Sequence, residues 1–195
     1  FYRIAGMLLP WLAIPAALLF VGGVYGGLVL APPDYQQCVA FRIVYIHAPS
    51  AWLSLMCYTA MAIAAAVGLI WRIKLAHAVA AATAPIGASF AFVYMALRSA
   101  FDDLQRADRA SAVLAIVGVV NVPIIHYSVY WWNSLHQGST VLKKGGPAMP
   151  PEMLIPLLMC FFGFTLLYGA LLCLRVQGEV LTRERNAAWL KNLSG

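Results

Sequence analysis

Long apolar runs separated by short polar or basic links organise this chain. The runs lie at about 7–30, 49–71, 77–97, 111–126 and 153–174, and the links between them hold most of the charge. Several reach the roughly 20 residues that carry an α-helix across a bilayer. A helix satisfies its own backbone hydrogen bonds where lipid cannot. The pattern therefore predicts an all-α fold, a polytopic membrane helix bundle with about five visible apolar runs. The whole chain, 1–195, reads as a single integral-membrane domain. Pro32-Pro33 closes the first run, and Pro49 suits the first turn of the second, where its missing N–H costs nothing. No internal repeat or low-complexity tract is evident, and nothing resembles a cleavable signal peptide. The chain begins with Phe1 rather than Met, so further N-terminal sequence is expected ahead of it.

Composition excludes the soluble classes. Hydrophobic residues make up 63% and charged residues 10%, whereas a soluble domain carries about 25% charge. The net charge of +6 is spread over the links, with no basic stretch interleaved with exposed aromatics. That distribution fits topology determinants better than nucleic-acid binding. Cys38, Cys57, Cys160 and Cys173 form no CxxC pair and no zinc spacing. Three of them lie in or at apolar runs and are expected to act as small buried hydrophobes.

Charge also exposes a conflict of parity. Arg72 and Lys74 mark the 72–76 link as cytoplasmic, and Arg98, Arg106 and Arg109 mark 98–110 likewise. Arg175, Arg183, Arg185 and Lys191 place the C-terminal tail on that side too. Yet a single apolar run separates the first two links, and one crossing would put them on opposite faces. Either 77–97 is a re-entrant hairpin broken at Pro85-Ile86-Gly87, or residues are missing and two different helices are joined near 91–94. The second explanation is preferred.

With the extra crossing restored, 31–48 and 127–152 face outwards. Each brings a histidine to the edge of an apolar run: His47 in Tyr45-Ile46-His47-Ala48-Pro49, and His126 in Val122-Pro123-Ile124-Ile125-His126-Tyr127. Two imidazoles at matching depth suit ligation of one metal or haem from opposite sides. The plainer alternative is an interfacial polar residue bonded to backbone or lipid. His77 stands at the cytoplasmic end of its run, where snorkelling is expected. His136 lies on the outer side in a long loop and is a weaker ligand candidate.

Several stretches resemble a known family. Tyr35-Gln36-Gln37, Tyr45-Ile46-His47, Ala84-Pro85-Ile86-Gly87-Ala88, Ala100-Phe101-Asp102-Asp103 and Asn121 to Ser128 are similar to signature segments of CcmC. So are Trp131-Trp132-Asn133 and Leu135-His136-Gln137-Gly138-Ser139. CcmC is the haem-handling membrane subunit of bacterial system I cytochrome c maturation. The resemblance covers nearly the whole chain in order. It implies six transmembrane helices, both termini cytoplasmic, in the bacterial inner membrane. It also implies two outward histidines flanking a tryptophan-rich periplasmic loop, the WWD domain. The chain departs from the family at one place: no Trp-rich stretch ending in Trp-Asp occurs between Ala91 and Tyr94. The resemblance and the charge parity thus point to the same break.

The function implied is carriage and handover of haem b, not catalysis. His47 and His126 would be the axial ligands of the haem iron. Trp131 and Trp132 fit either an aromatic belt or the haem edge. Arg42 could pair with a propionate through a bidentate contact, or be a solvated loop arginine. The implied recipient is CcmE, a periplasmic haem chaperone. The implied companions are the ATP-binding cassette ATPase CcmA, the membrane subunit CcmB and the single-span CcmD. The chain has no GxxxxGK[ST] phosphate loop, so ATP hydrolysis is expected of a partner. Two other classes stay open. A permease subunit of an ABC-type transporter should carry ionisable residues in mid-span, and these runs have almost none. A b-type cytochrome electron-transfer subunit usually holds haem deep in its bundle, whereas these histidines lie at the edge.

Overall fold

A computed structural model of the chain describes residues 2–35, 37–86, 103–131 and 149–184, except the side chains of 125, 126 and 128–130. Six α-helices occur among them: α1 (Tyr2–Tyr25), α2 (Val44–Trp71), α3 (Lys74–Thr83), α4 (Leu104–Gly118), α5 (Asn121–Trp131) and α6 (Pro151–Arg183). No strand occurs among the described residues. Four helical stretches are long and apolar enough to cross a membrane: Tyr2–Leu30, Val39–Trp71, Leu104–Ile124 and Pro151–Arg183. The chain is a multi-pass helical membrane protein.

Three helix boundaries differ from the apolar runs, each for a local reason. α2 begins at Val44, so Pro49 lies beyond the first turn and deprives the Tyr45 carbonyl of its intrahelical donor. α4 begins at Leu104 rather than near 111 because Asp103 caps it, its carboxylate accepting from the Gln105 amide at 2.9 Å. α6 continues past the apolar run to Arg183, whose side chain pairs with the buried Asp108 of α4. Between α4 and α5 the helix breaks after Gly118, where Pro123 offers no N–H to the Val119 carbonyl. The third expected run, 77–97, is helical over α3 and a 3-10 turn at Ala84–Ile86; its remainder lies outside the described residues.

The chain forms two compact units. The first comprises Phe1–Trp11, Ser54–Val122 and Gly169–Gly195. Its core is made of small residues: Ala65 of α2, Ala80 of α3 with Ala84 after it, and Ala112 and Ala115 of α4, with Met61 filling between them. Small residues let helix backbones approach closely where lipid offers no hydrophobic drive for association. Only Arg72 and Ile73 link α2 to α3, with Arg72 at φ 55°. The turn is tight enough for the half-buried His77 ring to cover Gly68, so His77 does not simply reach for water.

In the same unit, Lys74, Arg109 and Arg183, drawn from all three basic segments, line one cavity. The starts of α3 and α4 therefore lie at the same end, as their charge requires. Residues 87–102, between them, lie outside the described residues.

The second unit comprises Leu12–Leu53 and Pro123–Tyr168. Ala31, Tyr45, Leu157 and Cys160 form its core. The Gly22-Gly23-Val24-Tyr25-Gly26-Gly27 sequence gives α1 a smooth face. There Gly23 meets Cys160, Gly26 meets Pro156 and Gly27 meets the Tyr45 ring. All four cysteines are free; Cys57 and Cys160 are buried, as expected of small hydrophobes, and Cys38 is exposed.

Candidate functional site

The second unit carries the sequence-predicted ligands. In it a 3-10 turn, Val39–Ile43, runs directly into α2. His47 sits in the first turn of α2 and is exposed, whereas Tyr45, two residues earlier, is fully buried. Two residues along a helix turn the side chain by about 200°. One signature stretch thus supplies both an anchor and a surface imidazole. The Tyr45 ring packs on Gly27 so closely that no side chain fits there, and meets Phe41 edge-on at 6.5 Å between centroids. Anchoring on both sides fixes the direction in which His47 leaves the helix.

Arg42 has a structural task in this arrangement. α1 continues as a π-helical turn, Gly26–Leu30, closed by a bond from the Ala31 amide to the Gly26 carbonyl at 2.7 Å. Carbonyls at a helix end lack intrahelical donors. Arg42 supplies them: Nη1 donates to the Leu28 carbonyl at 2.7 Å and Nη2 to that of Ala31 at 3.0 Å. Its Nε and the Tyr45 hydroxyl are buried with no hydrogen-bond partner among the described residues. The solvated-arginine reading of Arg42 does not hold, because the guanidinium is partly buried against backbone.

His126 falls on α5, in its sixth position, and its side chain lies outside the described residues. α5 also carries an aromatic pair that pattern reading missed in part. Tyr127 and Trp131, four residues apart, stack with centroids 6.2 Å apart and planes at 25°. Both are exposed, presenting a flat apolar step with polar edges. The i, i+4 spacing was the available signal for Tyr127. Trp132 and His136 lie outside the described residues, so of the expected tryptophan pair only Trp131 is placed. No group of three or more metal-ligating side chains occurs among the described residues.

Comparison with known proteins identifies the family of the chain. The family described as heme exporter protein C, CcmC, matches residues 1–95 and 92–191, two stretches that meet at 92–95. The heme exporter protein C of Escherichia coli K12 is 38% identical over 98% of this chain and 91% of its own length. That of Haemophilus influenzae is 40% identical over 99% of this chain and 93% of its own. That of Bradyrhizobium diazoefficiens is 38% identical over 94% and 83%. The E. coli alignment runs over 227 residues, although the chain has 195. At least 227 − 195 = 32 of its positions are therefore gaps in this chain. With both stretches of the family matched in order across nearly its whole length, the chain belongs to the heme exporter protein C (CcmC) family.

Proposed function

We propose that this chain is a membrane subunit of cytochrome c maturation that holds haem b at the outer membrane surface and hands it on. The observation that carries the reading is the pairing, within one compact unit, of an exposed His47 with the His126-bearing helix and its Tyr127–Trp131 step. His47 and His126 supply the axial ligands, and two imidazoles saturate the iron, which favours carriage over oxygen chemistry. Tyr127 and Trp131 offer the macrocycle an apolar surface, with Trp132 beside them in sequence. Arg42 contributes chiefly by fixing the start of α2, and contact with a propionate would require its guanidinium to turn from the Leu28 and Ala31 carbonyls.

The chain itself makes no bond in this reading. CcmE receives the haem, CcmA hydrolyses ATP, and CcmB and CcmD complete the assembly in the bacterial inner membrane with both termini cytoplasmic. A further part of the proposal is that the family's Trp-rich WWD segment is absent between Ala91 and Tyr94, where the matched stretches meet. The full haem platform would then need that segment restored.

Visible spectra of the purified chain, with and without the E. coli segment grafted between Ala91 and Tyr94, test the ligands. His47→Ala or His126→Ala should each shift a low-spin spectrum towards high spin and weaken haem retention. The double substitution should abolish transfer to the chaperone, and His77→Ala should change nothing. Wild-type low-spin spectra from both single variants would remove the axial assignment and make His136 the next candidate. A reversible redox couple without transfer to an acceptor would favour the electron-transfer reading. Pull-down in mild detergent should recover an ATPase.

A further inference from the structure

The first unit holds a cavity of about 1490 Å³ that the haem reading does not use. It lies where helices end: the beginning of α1, the end of α2, the beginnings of α3 and α4, and the end of α6 all reach it. Helix ends of spanning length come to the boundary between hydrocarbon and water. The cavity is therefore at headgroup depth.

Its charge is unbalanced. One wall is a buried ion pair in which Arg183 donates two bonds to the Asp108 carboxylate, at 2.7 and 2.9 Å. Arg183 Nε also donates to Glu179 at 2.8 Å, so this arginine is fully committed. The remaining lining cations are Arg3, Arg72, Lys74 and Arg109, all exposed, and Glu184 is the only other lining carboxylate. None of those four cations makes an ion pair among the described residues.

Backbone adds to the demand for an anion. α3 starts at the cavity with no side-chain cap, and the Lys74 and Leu75 amides have no acceptor among the described residues. Uncapped first-turn amides and the helix dipole both favour a bound anion. Arg72 is held at φ 55°, a region that costs a bulky residue energy, and this conformation stands at the cavity mouth.

The rim is apolar. Ile4, Leu75 and Leu104 line the same cavity and are exposed, and Trp71 beside them is exposed as well. A soluble anion has no use for such a border. A phosphate attached to acyl chains does, because its chains can lie along the apolar helix faces while its charge meets the cations. The volume also exceeds the roughly 300–1,000 Å³ of ordinary small-molecule sites.

We propose that this cavity seats the headgroup of an anionic glycerophospholipid, its phosphate held by Arg72, Lys74, Arg109 and the first amides of α3. The site would couple the basic helix ends to the leaflet they face, over and above the diffuse attraction of a basic surface. It stands independently of haem.

The test compares lipid compositions on the full chain. Purified, delipidated protein is returned to nanodiscs of pure phosphatidylcholine or of phosphatidylcholine with one-fifth phosphatidylglycerol. Thermal unfolding and native mass spectrometry then read stabilisation and retained lipid. Phosphatidylglycerol should raise the melting temperature and stay bound through gentle activation, whereas phosphatidylcholine should not. The exposed pair of changes Lys74→Gln and Arg109→Gln should weaken that retention about 30-fold while leaving melting in phosphatidylcholine unchanged. Inorganic phosphate added to phosphatidylcholine discs should not substitute. Equal retention of both lipids overturns the proposal, as does phosphatidylglycerol retention that survives the double change. Stabilisation by inorganic phosphate alone would reassign the cavity to a soluble anion and overturn it too.

Discussion

The two units solve the same problem, polar groups among apolar helices, in different ways. In the first, side chains satisfy one another: Asp108 and Glu179 both take bonds from Arg183, with Asp108 and Arg183 only 7% and 13% exposed at the side chain. In the second, a side chain satisfies backbone: Arg42 donates to the carbonyls of Leu28 and Ala31. Lipid accepts neither a lone charge nor an unpaired carbonyl, so each arrangement removes a cost that neither helix could remove alone. The difference lies in what is left over. The first unit leaves exposed cations around a cavity, and the second leaves Arg42 Nε and the Tyr45 hydroxyl buried without partners. Leftover charge points outward to a ligand, while leftover buried atoms report a local compromise in packing.

The sharpest way to break this comparison is to remove one side of the Arg183–Asp108 pair. Arg183→Ala should cost about 3–5 kcal/mol, since it takes the shared cation from the Asp108 and Glu179 carboxylates, and Asp108→Ala should cost less, because Arg183 keeps Glu179. Replacing all three, Arg183→Met with Asp108→Leu and Glu179→Gln, should recover most of the Arg183→Ala loss, because no charge of this cluster is then stranded. Chemical or thermal unfolding in detergent micelles measures all three. Single variants as stable as the parent would mean that the pair contributes nothing to the first unit.

A smaller effect is expected at the aromatic anchor of the second unit. A side chain at Gly27 must displace the inner end of the Tyr45 ring, which is held by Phe41 from the other side. Gly27→Ala should destabilise by about 1–3 kcal/mol, the range for overpacking. It should also redirect the start of α2, so haem retention through His47 should fall more than stability does. Unchanged melting with unchanged haem spectra would show that the Tyr45 anchor does not set the direction of His47.

Much of this was legible in the sequence, and the parts that were not share a cause. The apolar runs gave the cores of the long helices because length and composition alone decide what crosses a bilayer. The placing of the 72–76 link and the start of α4 at one end followed from Lys and Arg counts, and their shared cavity agrees. Helix ends were less legible. Asp103 capping α4 is local and could have been read from its position, whereas the extension of α6 to Arg183 depends on Asp108, 75 residues away. Arg42 was open to a solvated reading because its acceptors, the Leu28 and Ala31 carbonyls, become available only once α1 ends in a π turn. The basic cavity was not legible at all. Arg3, Arg72, Lys74 and Arg109 read singly as topology signals, and only packing gathers them.

The smallest effect expected concerns the Tyr45 hydroxyl, and it carries the opposite sign. A buried hydroxyl without a partner loses its bonds to water and gains none in return, so deleting it relieves a cost. Tyr45→Phe keeps the ring, and with it the contacts to Gly27 and Phe41. Stability should therefore stay level or rise by up to about 1 kcal/mol. Melting curves of the apo-protein check the sign directly. A loss of more than about 1 kcal/mol would mean that the hydroxyl is bonded in the membrane, and the second unit would then balance its polar groups as the first does. Unchanged melting with weaker haem retention would instead assign the hydroxyl to the haem site.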